Sequence, residues 1–145
     1  MKRFLFLLLL SALTHISLSQ TCMFYFIPKS MDWSDAQTHC RQNYIDLATM
    51  DDQTDQDEMM RVIRQVYNGD VWIGLSDGVF VWSDQSSSSF TRWKPGQPQN
   101  QLCVNVEGGY WFDRNCEDNV AFACYFGEQE ETDRESGGEI ESKSE

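Results

Sequence analysis

Cations are scarce in this sequence. Lysine and arginine number 11 against 23 aspartates and glutamates, a formal net charge of −12 over 145 residues. Phosphate backbones and anionic lipid surfaces are held by a lysine and arginine surplus, so this deficit argues against nucleic acid and membrane docking as partners. Histidine is scarcer still, with only His15 and His39, and no Cys-x-x-Cys pair occurs. Zinc therefore has no ligand set. There is no Gly-x-Ser-x-Gly elbow and no glycine-rich phosphate loop. A single histidine on a helix, and Asp113 with Glu117 as exposed loop acids, supply no credible nucleophile–base pair, so no enzyme is expected. Internal repeats and Asn-x-Ser/Thr acceptors are missing as well. What remains, 41% apolar and 13% aromatic residues, is enough for the core of one domain.

The one long apolar run is at the N-terminus. Lys2 and Arg3 precede ten residues, Phe4 to Leu13, in which only Ser11 is polar, and Ser17 and Ser19 follow. Ten apolar residues are too few to span a bilayer, which takes about 20. The pattern is that of a secretory signal over residues 1–19 with a cut before Gln20, so the chain is expected outside the cell. An oxidising compartment favours disulfides among Cys22, Cys40, Cys103, Cys116 and Cys124. Five thiols leave one over, whatever the pairing.

Met23 to Ile27, closed by Pro28, reads as a strand. Asp32 is placed to cap a helix that fades near Asn43, with Trp33, Ala36 and Cys40 at i, i+3 and i+7 on its inner face. His39 reads as a surface residue of that helix. A second helix starts between Asp52 and Thr54, with Met59, Met60, Ile63 and Val66 as its apolar face and Asn68-Gly69 as its stop. The acids Asp51, Asp52, Asp55, Asp57 and Glu58 at its start complement the helix dipole, a plainer role than a cation site. Val71 to Leu75 is a continuous apolar run suited to a buried strand, and Phe80-Val81-Trp82 a shorter one. Ser83 to Gln101, with four serines in a row at 86–89 and two prolines, is a long irregular loop and the expected place of a binding site. Leu102 to Val106 and Tyr110 to Phe112 flank Glu107-Gly108-Gly109 as a hairpin, and Val120 to Phe126 alternates as a last strand. The order predicts an α+β fold over 20–126, and residues 127–145, rich in acids and without aromatics, a disordered tail.

These residues resemble the C-type lectin-like domain over about Met23 to Phe126. The carriers are Trp33-x-x-Ala36-x-x-x-Cys40, Trp72-Ile73-Gly74-Leu75, Trp93 before a proline-containing loop, and Cys103, Trp111, Cys116 and Cys124. The resemblance implies two helices packed on small, mainly antiparallel sheets with a long loop. It also implies disulfides Cys40–Cys124 and Cys103–Cys116. Cys103 and Cys116 flank the predicted hairpin, which agrees. Cys22 is then the odd thiol, either joining two chains into a homodimer or capped by a small thiol.

Sugar-binding members of the family hold calcium in the long loop, using Glu/Gln-Pro-Asp/Asn, an acid two residues before the third cysteine, and Trp-Asn-Asp in the next strand. Here those positions read Gln97-Pro98-Gln99, Gln101 and Trp111-Phe112-Asp113. The resemblance implies a cis peptide before Pro98. Calcium takes about 6–8 oxygen ligands with carboxylates to offset its charge. Three glutamines and one aspartate offset little, and Phe112 offers no oxygen. No resident metal or cofactor is expected, with Gln97, Gln99 and Asp113 as residual calcium ligands. The expected function is a secreted module binding a glycan or an extracellular protein without a high-affinity calcium site, through Gln97, Gln99, Gln101, Phe112 and Asp113. The alternative is a calcium-dependent lectin of galactose type, the pattern that Gln97 resembles. Some family members bind ice or crystal surfaces, and no residue here selects that role. Trp93 and Trp111 are expected in or near the core, whereas Phe112, in the family's outward-facing position, would be an exposed anchor.

Overall fold

The computed structural model describes residues 22–127, and the expected signal 1–19, the fate of the Cys22 thiol and the tail beyond Gly127 lie outside them. The elements follow in the order β1 (Cys22–Met31), α1 (Trp33–Asn43), β2 (Asp46–Leu47), α2 (Gln53–Arg64), β3 (Val71–Ser76), β4 (Val81–Trp82), β5 (Cys103–Glu107), β6 (Tyr110–Arg114) and β7 (Val120–Gly127). The sheet runs β1-β7-β3-β5-β6, with β2 on β7 and β4 on β3. All pairings are antiparallel except β3 with β7, where Val71 and Trp72 lie beside Ala121 and Phe122.

The central strands are apolar throughout because both of their faces are covered. Successive strand residues point to opposite faces. Val71, Ile73 and Leu75 enter one core cluster with Met59, Met60 and Ile63 of α2, Trp82, Val104, Val106 and Trp111. Trp72 enters the other, with Trp33, Ala36 and Cys40 of α1, Leu47, Phe122 and Cys124. β7 divides likewise, Ala121 and Ala123 to the first and Val120, Phe122 and Cys124 to the second. Each indole of the second cluster finds a carbonyl: Trp33 Nε1 donates to Ile73 O and Trp72 Nε1 to Met31 O, both at 2.9 Å.

Both helices start at an aspartate cap. Asp32 accepts from Asp35 N at 2.8 Å and Asp52 from Asp55 N at 2.9 Å, while Asp55 accepts from Asp51 N at 2.9 Å. The acids at the start of α2 thus satisfy orphan helix amides. Burial pushes the Asp55 carboxyl above its usual range, the Asp51 amide opposes this, and the carboxylates of Asp52 and Asp51 add to the rise. His39 is half-buried, its ring edge-on to Phe122 at 5.4 Å.

Some local expectations shift. α2 ends at Arg64, and Val66 is 71% exposed rather than part of the apolar face. The Val66 and Tyr67 amides both donate to Ile63 O, at 3.0 and 2.9 Å, so the chain turns there and Tyr67 takes the inward place, stacked on Phe26. β1 continues past Pro28 through an irregularity between Ile27 and Met31, which an edge strand tolerates. β7 takes in Gly127, one residue from the expected tail, and Phe126 at its end is exposed. Gly74 is required by space: a Cβ there would lie 3.1 Å from Leu47 O and 3.3 Å from Ala48 O, where β3 passes close to β2.

The disulfides join Cys40 to Cys124 and Cys103 to Cys116, with Cα atoms 5.4 and 5.1 Å apart. The first fastens α1 to the centre of the sheet. The second ties the start of β5 to the turn before β7.

Candidate functional site

From Ser83 to Leu102 the chain has no helix or strand of its own, yet most of it is fastened. Ser83 Oγ donates to Asp46 Oδ1 at 2.7 Å and accepts from Gln37 Nε2 at 2.7 Å, and Arg41 bridges Asp46 Oδ2 and Ser83 O. Ser88 Oγ donates to Met50 O at 3.0 Å, and Tyr125 donates to Asp84 Oδ2 at 2.9 Å. The serine run is therefore a hydrogen-bonded seam against the β2–α2 connection rather than a slack linker.

Trp111 on β6 is the hub of the next segment. It is fully buried, and Trp82, Phe90 and Trp93 each meet it edge-on with centroids 5.6 Å apart. Its main chain accepts from Lys94 N at 3.0 Å and donates to Arg92 O at 2.8 Å, which lays the loop along β6. The indole N–H donates to Gln56 Oε1 at 2.9 Å, and Gln56 Nε2 donates to Gly109 O at 3.0 Å. Gln56, only 1% exposed, was not anticipated from the sequence. Its signal was its place on the same helical face as Met59, Met60 and Ile63. Trp111 has no face left for a ligand, and Trp93 is half-buried against it and Phe80.

The loop tip carries the remaining expected residues. The Gln97-Pro98 peptide is cis, and Gly96 and Asn100 have φ of 91° and 110°. This reversal brings Gln99 and Gln101 back over β6, where both amides donate to Asp113 Oδ2, at 2.8 and 2.6 Å. Asp113 N donates to Gln97 Oε1 at 3.4 Å, a weak bond. Asp113 thus gathers Gln97, Gln99 and Gln101 into one structure, with one carboxylate oxygen spent on main-chain donors. Its other oxygen, Oδ1, is buried without a hydrogen-bond partner. Gln99 and Gln101 are exposed, while Gln97 and Phe112 are half-buried. Phe112 stands mid-strand opposite Asn105 and is half-buried rather than fully exposed.

Calcium fits this donor set poorly. Among the described residues no three His, Cys, Asp or Glu side chains come close enough to hold a metal ion. Asp113 is the one carboxylate among the five positions that the resemblance points to, half of it is already bonded, and Phe112 brings carbon where an oxygen is needed.

The comparisons with known proteins agree with this architecture. Residues 29–126 match the family described as lectin C-type domain. The galactose-specific lectin nattectin of Thalassophryne nattereri is 30% identical over 113 residues, covering 70% of this chain and 71% of nattectin. The low affinity immunoglobulin epsilon Fc receptor of Mus musculus is 36% identical over 115 residues, 72% of this chain, which spans only 34% of that receptor. Among solved structures, human lithostathine superposes with a TM-score of 0.68 at 25% identity, covering 75% of this chain and 97% of lithostathine. The cow CD23 carbohydrate-recognition domain, solved in the presence of a GlcNAc2Man3 oligosaccharide, gives 0.65 at 25% identity over 73% and 88% of the two chains. With the two disulfides, a helix on each face of the sheet, the tryptophan hub and the long loop all in place, this chain belongs to the C-type lectin domain family.

Proposed function

We propose that the chain is a secreted lectin-like binding module that recognises a glycan or an extracellular protein without a resident calcium ion. The observation that carries this reading is the state of Asp113. Its Oδ2 closes the loop tip by accepting from the Gln99 and Gln101 amides, so that oxygen is already spent on main-chain donors. What the tip then presents is amide chemistry: the exposed Gln99 and Gln101 side chains, beside the half-buried Gln97 and Phe112. Amides donate and accept, so they suit sugar hydroxyls and main-chain peptide groups alike. The relatives support both ligand classes, a galactose-specific lectin on one side and an immunoglobulin epsilon Fc receptor on the other. Secretion rests on the N-terminal pattern of residues 1–19 and is consistent with disulfide use.

One observation favours a second reading, calcium-dependent binding of galactose type. Asp113 Oδ1 is buried and unpartnered, as a cation ligand would be in the absence of its ion. Calorimetric titration with calcium separates the two. No heat below about 1 mM calcium, with ligand binding unchanged in EDTA, is the expected result. Stoichiometric uptake lost in Asp113→Ala would establish the second reading instead.

A further inference from the structure

The few cations of this acidic chain are not spread evenly. Among the described residues Arg41, Arg61 and Arg114 are ion-paired with carboxylates. Lys29, Arg64, Arg92 and Lys94 pair with none among the described residues; Arg64 and Arg92 line one cleft, and Lys94 stands beside it on the Tyr110 ring. A cleft of about 710 Å³ opens between α2 and the β5–β6 turn, lined by Asp57, Arg61, Arg64, Arg92, Gly109 and Tyr110 among others. That volume lies within the range of small-ligand sites.

The cleft is built rather than incidental. Gln56 clamps its floor, joining α2 to Gly109 O and to the Trp111 indole. Arg64 reaches over the turn, its Nη2 3.4 Å from where a Gly109 side chain would begin. The Tyr110 ring holds Arg92 Cζ at 5.1 Å and Lys94 Nζ at 4.7 Å from its centroid, so both cations are positioned without consuming a carboxylate. The acid at the rim, Asp57, is engaged by Gln53 Nε2 at 2.9 Å, and Glu58 neutralises Arg61 through two bonds. Two guanidinium forks are left without an anion.

We propose that this cleft is a second ligand site, taking a sugar that bears a carboxylate or a sulfate. A guanidinium meets such groups with two parallel N–H donors, which fixes orientation as well as charge. The size of the ligand follows from screening. At physiological ionic strength charges act over about 8 Å, so a single anionic sugar feels Arg64 and Arg92 against Asp57, the one acid in the lining that is not ion-paired, and little of the distant acids. A long polyanion crosses many such lengths and meets the acidic remainder of a molecule with net charge −12. The site is separate from the loop tip, since Tyr110 and Asp113 stand three residues apart on β6, about 10 Å. It rests on the reading of the chain as a glycan-binding module, though not on the absence of calcium.

The test is a titration of the full chain, in EDTA and again in calcium, with 3′-sialyllactose, lactose 3′-sulfate and neutral lactose. Either anionic probe should bind at least about tenfold more tightly than lactose, and the stronger of the two identifies the group. Arg64→Glu with Arg92→Glu should lose at least about tenfold for that probe. Both residues are exposed, so the variant should fold, and Arg64→Ala with Arg92→Ala serves as a milder second pair if it does not. Equal affinity for lactose, unchanged affinity in the folded variants, or stronger displacement by a synthetic peptide of residues 128–145 than by either sugar would overturn the site. Calcium uptake at the loop with cleft binding unaffected would overturn only the calcium-independent reading.

Discussion

Gln56 shows how much one polar side chain can organise. It is the buried residue through which α2 touches both the Trp111 indole and the hairpin turn at Gly109. Replacing it with alanine strips the buried indole N–H of its acceptor, while the Gly109 carbonyl, nearer the surface, can rehydrate. An orphaned buried donor costs about 1–3 kcal/mol, so Gln56→Ala should lower unfolding stability by that order in denaturant titration. The position could have been read as inward-facing, because it shares a face with Met59 and Ile63, although its polarity kept it out of the expected apolar face. Its partner could not, since Trp111 lies far along the chain and a single sequence gives no sign of that contact. Asp113 divides in the same way. The resemblance marked it as a site residue, but its bonds to the amides of Gln99 and Gln101 depend on the exact path of the loop tip.

At the scale of elements, regular structure was the easier part to read. Strand β3 announced itself as an unbroken apolar run because α1 and α2 cover its two faces, and the hairpin was marked by Gly108-Gly109, whose φ values of 59° and 85° are the left-handed conformations that glycine accepts. The end of α2 and the continuation of β1 past Pro28 were misjudged because main-chain bonds, not side-chain pattern, decide them. The hairpin also carries a pH dependence. The Asp70 carboxylate, hydrogen-bonded to Glu107 and close to it in charge, pushes the Glu107 carboxyl above its usual range, with burial adding to the rise and Arg114 opposing it. A carboxyl raised in the folded state binds more protons there than in the unfolded chain, so its contribution to stability falls as pH rises through that range. The penalty is fully present at neutral pH and gone below the ordinary glutamate value. Glu107→Gln should therefore have a higher melting temperature than the parent at pH 7, with the gap closing as pH approaches 4. A gap that stays constant over that range would refute this account.

Over the whole molecule, the disulfides and the charge distribution divide the labour between holding the fold and presenting it. Each bridge spans a different range of chain: Cys40 and Cys124 are 84 residues apart, Cys103 and Cys116 only 13. Loop-closure entropy makes the longer one worth about 4–5 kcal/mol and the shorter about 3. The longer bridge sits inside the α1 cluster with Trp33, Leu47 and Phe122, so its loss also loosens packing there. The shorter closes the irregular turn before β7, where Trp33 N donates to Cys116 O. Cys40→Ala with Cys124→Ala should consequently unfold at markedly lower denaturant than Cys103→Ala with Cys116→Ala, with the second pair keeping most of the native near-ultraviolet signal of its tryptophans. Equal losses for the two pairs would mean that local strain in the turn, rather than chain entropy, governs the shorter bridge. The same ordering bears on binding. The loop tip at Asp113 lies one residue from Arg114, the β6 partner of Cys103, whereas the cleft at Tyr110 lies at the far end of the hairpin. Opening Cys103–Cys116 should thus disturb the tip before it disturbs the cleft, so a ligand whose affinity survives that substitution is held by the cleft.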